Sequence, residues 1–137
     1  MEIREFQMAD YEKVVTLWER AGLSTVRSDQ RDEIRKKLLR DPDLFLVGVE
    51  AQTVVAAVIG GYDGRRGWAY HLAVEPEHHA QGRGSALLGA LESRLRNKGC
   101  LKLNLLIDWN NAGVAEFYRR CGYSADESVF LMDKWLA

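Results

Sequence analysis

The chain has 137 residues and a formal net charge of −1 at pH 7, with 28% charged and 47% hydrophobic residues. This length suits one domain with a buried core, and we expect a single domain over residues 1–137. The charge balance argues against a nucleic-acid-binding surface. Charged residues interrupt positions 1–20, and no apolar run approaches the ~20 residues of a membrane helix. We therefore expect a cytoplasmic protein without membrane contact.

The first part of the chain predicts a strand and two helices. A short strand is expected at residues 3–6, and an amphipathic helix follows it. The apolar face of that helix is formed by Tyr11, Val14, Val15 and Trp18. Gly22 is a suitable helix terminator. Ser28 is expected to N-cap the second helix, which Asp41-Pro42 ends.

The middle of the chain predicts β-structure. Two β-rich runs, residues 44–49 and 54–59, are separated by four residues and predict a hairpin. Residues 60–67 contain four glycines and two arginines and predict a loop. A strand is expected over residues 68–74, before Pro76 and a glycine-rich turn.

The last part predicts two helices and two strands. After Gly84 a long helix is expected, with Leu87, Leu88, Leu91 and Leu95 on one face. A strand at residues 101–107, a helix at 111–121 and a final strand at Val129–Leu136 follow. The order β-α-α-β-β-β-α-β-α-β predicts an α/β fold, a mixed sheet with helices on both faces.

The turn His-Ala-Gln-Gly-Arg-Gly at residues 79–84 joins a strand to a helix. Amide groups at such a turn converge, and the helix dipole adds positive potential, so the turn favours a pyrophosphate. The residues expected to contribute are Ala80, Gln81, Gly82, Arg83, Gly84 and Ser85. A dinucleotide fingerprint would need glycine at Leu87, and a P-loop would need lysine after Gly84. A linker without a ligand is the alternative.

Two segments carry a family resemblance. One is Leu72-Ala73-Val74-Glu75-Pro76-Glu77 with Gly82-Arg83-Gly84, and the other is Asn111 with Phe117-Tyr118 and Gly122-Tyr123. At this spacing the whole chain resembles the GNAT superfamily of acyl-CoA-dependent N-acyltransferases. His79 departs from the arginine or glutamine usual at the first position of the family signature.

The resemblance implies a mostly antiparallel sheet of six to seven strands, splayed in the middle, and acetyl-CoA as cosubstrate. It implies direct acetyl transfer to a primary amine of a small molecule, peptide or protein, with no metal. The strand Leu72, Ala73 and Val74 would hold the pantetheine arm and supply the oxyanion donor. Asn111 would bind the pantetheine or cap its helix. A non-catalytic acyl-CoA-binding module, or an interaction domain without CoA, are the alternatives.

Two tyrosines are the candidate catalytic residues. Tyr118 corresponds to the family's proton donor to the departing thiolate, and a phenol can serve a thiol whose pKa is near 8.5. Positions where relatives carry a base hold Trp68 and Leu106. A water chain through Tyr70, or help from Asp108, would then deprotonate the amine. Strand alternation places His71 on the face opposite Tyr70, where it reads as a packed strand histidine.

The acceptor is left open by the sequence. Asp63 and Asp108 would attract a cationic amine, whereas Arg65 and Arg66 would receive an acidic substrate. Each of these side chains also reads as an ordinary solvated loop residue. Pairing at a β-edge or through the hairpin would give a homodimer.

Overall fold

The computed structural model of the protein describes residues 1–78, 82–107 and 112–137. Backbone contacts divide the chain into two compact units, Met1–Leu106 and Ile107–Ala137. The first unit holds the sheet and three α-helices, and the second holds one α-helix. None of the helices in the described ranges is long and apolar enough to cross a membrane.

The sheet runs in chain order, and most of its neighbours are antiparallel. Its strands are β1 (Glu2–Glu5), β2 (Phe45–Glu50), β3 (Thr53–Tyr62), β4 (Gly67–Val74) and β5 (Leu103–Leu105). The helices are α1 (Tyr11–Arg20), α2 (Arg31–Arg40), α3 (Arg83–Asn97) and α4 (Ala112–Arg120). The strands from β1 to β4 pair antiparallel, and β5 pairs parallel to β4. The mixed α/β sheet expected from the sequence is therefore confirmed.

The strand count differs from the expectation. The described residues form five strands, not six or seven. The final strand predicted at Val129–Leu136 has no regular secondary structure, and Phe130 near its start is 84% exposed. Alternating apolar residues favour a strand, but a strand exists only where a neighbouring edge accepts its hydrogen bonds. No described edge pairs with this segment.

Helices cover both faces of the sheet. On β2, Phe45 and Val47 pack into one buried cluster with Trp18 of α1 and Ile34 of α2. The intervening Leu46 packs into a second cluster. That cluster contains the predicted apolar face of α3 at Leu87, Leu91 and Leu95. Because successive strand residues point to opposite faces, α1 and α2 lie on one side and α3 on the other.

The glycines at the end of β3 belong to a strand and not to a loop. β3 continues to Tyr62 and β4 begins at Gly67, so these strands form a second hairpin. A Cβ on Gly60 would lie 2.3 Å from Cδ1 of Leu91 and 2.8 Å from the carbonyl oxygen of Leu44. Glycine is required here by close packing against α3, which composition alone cannot distinguish from a flexible loop.

The start of α2 also differs from the prediction. Ser28 lies within a 3₁₀ turn (Arg27–Asp29), and α2 begins at Arg31 after an extended Gln30. The carboxylate of Asp29 accepts a hydrogen bond from the Val26 amide at 3.0 Å, which closes the 3₁₀ turn ahead of the helix. The helix end expected at Gly22 is confirmed by its left-handed φ, and Gly99 and Gly122 adopt the same conformation just after α3 and α4.

Candidate active site

The edge of β4 extends beyond its described pairing with β5. The parallel register runs from Gly67 opposite Leu103 to Ala69 opposite Leu105. β4 continues to Val74, so Tyr70–Ala73 passes the last described pair with β5. A strand that extends past the end of its neighbour can present backbone N–H and C=O groups to an extended ligand. The predicted pantetheine residues Leu72 and Ala73 lie in this stretch.

A β-bulge interrupts the opposite edge of β4. Ala57 on β3 faces Ala73, and Ile59 faces Tyr70, so one β3 residue opposes two β4 residues. His71 sits at the bulge with a left-handed φ of 50°. Outside the tight β2–β3 turn, no other described non-glycine residue has a positive φ. The bulge bends β4 at the point where its described pairing with β5 has ended.

The bulge changes which face His71 occupies. Strict alternation would put Ala69, His71 and Ala73 on one face, yet Ala69 packs with α3 and Ala73 packs with α1. The His71 ring meets Trp18 of α1 edge-on, with ring centroids 4.9 Å apart. Tyr70, which alternates with Ala69, lies on the same α1 face. The expectation that Tyr70 and His71 point to opposite faces is therefore wrong, because the extra residue shifts the alternation.

His71 forms a polar pair that the sequence did not reveal. Its Nε2 lies 3.0 Å from Oδ2 of Asp29, whose side chain is 9% exposed. Burial alone would raise the pKa of Asp29, but hydrogen bonds from His71 and the Val26 amide outweigh it and lower that pKa. The two residues are 42 positions apart in the sequence, and Asp29 lies just ahead of α2. The sequence carried no signal for the bulge that joins them.

Tyr70 is partly exposed and stays neutral. Its side chain is 38% accessible, and its pKa is raised by burial and by the nearby charge of Asp63. A phenol with a raised pKa can pass a proton along through water but holds a negative charge poorly. Its predicted part in a water chain remains a prediction.

The helix after the glycine turn begins with features that suit an anion. Gly82 is its N-cap, with a left-handed φ of 77°, and no described side chain caps the helix. The Ser85 hydroxyl donates to the Gly82 carbonyl at 3.1 Å, and the Ala86 amide donates to the same carbonyl at 3.0 Å. The first amides of an α-helix have no acceptor within the helix. Of the predicted cradle, Ala80 and Gln81 lie outside the described residues.

The side chain of Arg83 serves another purpose. Its Nε and one terminal nitrogen donate to the two carboxylate oxygens of Glu50, at 2.7 and 2.8 Å. This two-pronged ion pair ties the start of α3 to the end of β2. Arg83 is therefore suited to contribute its backbone amide to an anion, while its guanidinium fixes the position of the helix.

Tyr118 lies on α4 in the second unit. It is 8% exposed, and its ring meets Phe117 and Tyr123 edge-on at centroid distances of 5.2 and 5.9 Å. Burial raises its pKa to about 12. The phenol is thus protonated throughout the neutral range, although it is a weaker acid than an exposed tyrosine. Asn111, expected before α4, lies outside the described residues.

The hairpin loop predicted to meet the acceptor has a structural role as well. The Asp63 carboxylate accepts hydrogen bonds from the Arg65 and Arg66 amides at 2.8 and 2.7 Å. These bonds shape the β3–β4 turn and lower the pKa of Asp63. Its carboxylate is therefore already engaged by the turn. Asp108 lies outside the described residues.

Comparison with known proteins finds relatives over nearly the whole chain. The chain matches the acetyltransferase (GNAT) family over residues 2–123. It is 44% identical over 136 residues to an acetyltransferase of Sodalis glossinidius (strain morsitans), covering 99% of this chain and 96% of that protein.

Two solved structures share the fold. The crystal structure of Ard1 from Thermoplasma volcanium matches with a TM-score of 0.74 and 25% identity, over 90% of this chain and 82% of that one. The PaiA N-acetyltransferase of Thermoplasma acidophilum, solved in complex with coenzyme A, matches with a TM-score of 0.74 and 18% identity, over 87% of each chain. With the family matched over most of its length, the chain belongs to the acetyltransferase (GNAT) family.

Proposed function

We propose that this protein transfers the acetyl group of acetyl-CoA directly to a primary amine of a small molecule, peptide or protein. The observation that carries the proposal is the stretch of β4 that lies beyond its described pairing with β5. Its Tyr70–Ala73 segment passes the last described β5 pair, and the next α-helix, α3, begins at Arg83 without a described side-chain cap. A strand edge followed by a helix N-terminus suits a ligand with an amide-containing arm and a pyrophosphate.

In this proposal the backbone performs most of the binding. Amides of Gly82, Arg83, Gly84 and Ser85 hold the pyrophosphate, together with Ala80 and Gln81. Leu72, Ala73 and Val74 pair with the pantetheine arm, with Asn111 as a further contact. An N–H of this strand donates to the oxyanion that forms when the amine attacks the thioester carbon. The tetrahedral intermediate then collapses, the C–S bond breaks, and Tyr118 donates a proton to the thiolate sulfur.

Calorimetry with acetyl-CoA and desulfo-CoA tests the cradle. Ser85→Glu places a carboxylate at an exposed position in the first turn of α3, where it repels a phosphate but favours the helix dipole. Gly84→Glu introduces the same charge at a buried position. Gly89→Glu in the same helix, where an added Cβ meets nothing within 4 Å, is the matched control. We expect micromolar binding by the wild type and Gly89→Glu, and at least tenfold weaker binding by Ser85→Glu and Gly84→Glu.

Release of free thiol from acetyl-CoA, measured with lysine, spermidine and an alanine-terminated peptide, tests the transfer itself. Turnover with one of these amines supports the proposal. Binding of acetyl-CoA with no turnover on the panel would point instead to an acyl-CoA-binding module. No binding by the wild type would overturn both functions together.

A further inference from the structure

The bulge in β4 places His71 in a backbone conformation that is unusual within a strand. His71 has a φ of 50° within a strand, a conformation that the surroundings must impose. It directly precedes Leu72, the first residue of the proposed thioester-binding stretch. Strained residues of this kind concentrate at functional sites, which makes His71 a candidate functional residue.

The contacts of His71 fix its ring. Trp18 lies against one edge of the imidazole, and Asp29 holds Nε2 at 3.0 Å. Asp29 is itself held, since the Val26 amide donates to its carboxylate and the Tyr11 hydroxyl donates to its carbonyl at 2.8 Å. The His71 side chain is nonetheless 24% exposed. A ring that is rigidly supported from behind and still accessible is suited to meet a substrate.

The protonation of the pair follows from its carboxylate. The pKa of Asp29 is lowered, so it is ionised at neutral pH and can only accept hydrogen bonds. Nε2 of His71 must then carry a hydrogen, and in the neutral imidazole the lone pair belongs to Nδ1. The Asp29 carboxylate contacts the imidazole directly, and the Tyr11 hydroxyl bonds the Asp29 carbonyl. The guanidinium of Arg31 lies over the Tyr11 ring, 4.7 Å from its centroid.

We infer that His71 is the general base of the proposed acetyl transfer, with Nδ1 accepting the proton of the incoming ammonium group and Asp29 acting as the positioning residue. The inference rests on the proposed function. One ammonium proton moves to Nδ1, and the freed nitrogen lone pair forms the C–N bond of the tetrahedral intermediate. When that intermediate collapses, the C–S bond breaks and Tyr118 donates its proton to the thiolate sulfur. The second nitrogen proton passes through water to the Tyr118 phenolate, which restores the phenol. The proton on His71 returns to water, and the products are an amide and free CoA.

His71→Asn is the informative variant, because asparagine tolerates left-handed backbone and the strand conformation is therefore retained. We expect kcat/KM to fall roughly 10²–10⁴-fold. The acidic limb of the pH–rate profile should disappear, while the Kd for acetyl-CoA stays within about threefold. Imidazole added to His71→Gly should restore part of the rate. An unchanged acidic limb in His71→Asn with normal acetyl-CoA binding would overturn the assignment and leave the proposed function intact.

Two further variants separate the alternatives. Asp29→Asn should lower kcat and displace the acidic limb without removing it, because the base remains while its partner loses its charge. Tyr70→Phe tests the competing water chain: if it removes the acidic limb and His71→Asn does not, the base acts through Tyr70 and our assignment is wrong.

The tautomer provides a readout that needs no turnover. In ¹⁵N-edited NMR spectra, the His71 signals, identified by their loss in His71→Asn, should show Nε2 protonated and Nδ1 unprotonated. The opposite tautomer would contradict the inference even if the enzyme acetylates amines. Absence of acetyl-CoA binding by the wild type would instead overturn the proposed function, and the inference would fall with it.

Discussion

At the scale of single residues, Tyr118 shows how burial changes a predicted role. Its pKa is raised to about 12, mainly by burial and further by the neighbouring Cys121. An exposed phenol would lose its proton near pH 10, whereas this one keeps it across the working range of an enzyme. The raised pKa therefore keeps the Tyr118 phenol protonated but makes it a weaker acid.

Replacing Tyr118 by phenylalanine should lower kcat roughly 10²–10⁴-fold and leave the Kd for acetyl-CoA nearly unchanged, because only the proton donor is lost. Steady-state kinetics and calorimetry measure the two quantities. Tyr123→Phe, which removes a hydroxyl from the neighbouring ring, is the matched control and should retain both. If Tyr118→Phe retains kcat as well as affinity, Tyr118 is not the acid. No loss of wild-type rate attributable to Tyr118 is expected below pH 10.

At the scale of elements, the close contact between β3 and α3 sets a strict size limit. Gly60→Ala would push a methyl group into Leu91 and the Leu44 carbonyl oxygen. We expect it to lower the free energy of unfolding by about 1–3 kcal/mol. Gly89→Ala, in open space on α3, should instead raise it by about 0.5–1 kcal/mol. Urea unfolding of both variants checks this, and equal effects would show that the approach at Gly60 is not tight.

The elements also show what can be read from sequence. The buried face of α3 was predictable because a 3.6-residue repeat is a local property. The helix end at Gly22 was predictable for the same reason. The extension of β3 through Gly60 was not, because that glycine is required by a side chain 31 positions away. The glycine content favoured a flexible loop, whereas in the fold Gly60 is needed because Leu91 approaches the backbone closely.

The candidate site also has parts that the sequence indicates and a part that it does not. The turn ending at Gly84 and the strand at Leu72 could be proposed from the sequence because each is a contiguous motif. The pairing of His71 with Asp29 could not, since it depends on a one-residue bulge that reverses the alternation of β4. Strand periodicity assigns faces correctly only while the register is unbroken.

At the scale of the whole molecule, stability should depend on pH through its buried carboxylates. Arg4 donates two hydrogen bonds to Asp10, at 2.8 and 2.9 Å, and the Gln7 amide donates a third at 2.8 Å. The Arg4 hydrogen bonds are the main cause of the lowered pKa of Asp10. The pKa of Asp29 is lowered as well. Folding therefore favours the charged forms of both residues.

A lowered folded-state pKa stabilises the protein fully above the unfolded value near 3.9, and this stabilisation is lost as the pH falls through the folded value. We expect the free energy of unfolding to decline below about pH 5. Asp10→Asn should cost about 1–3 kcal/mol at pH 7. Its stability should approach that of the wild type at low pH, where Asp10 is protonated in both states.

Urea unfolding at a series of pH values measures these curves. Glu127→Gln, at an exposed position, should run parallel to the wild type. Curves for Asp10→Asn and the wild type that stay equally far apart down to pH 2 would show that the ionised carboxylate is not what stabilises the fold.

The edge-on contact between Trp18 and His71 has a photophysical consequence. An excited indole transfers charge readily to an imidazolium ring in contact with it, and far less readily to a neutral imidazole. The emission of Trp18 should therefore dim when His71 gains a proton and recover when the proton leaves. In a variant whose other three tryptophans are replaced by phenylalanine, the intrinsic fluorescence of Trp18 would report whether His71 is protonated. The measurement would need neither a label nor a substrate.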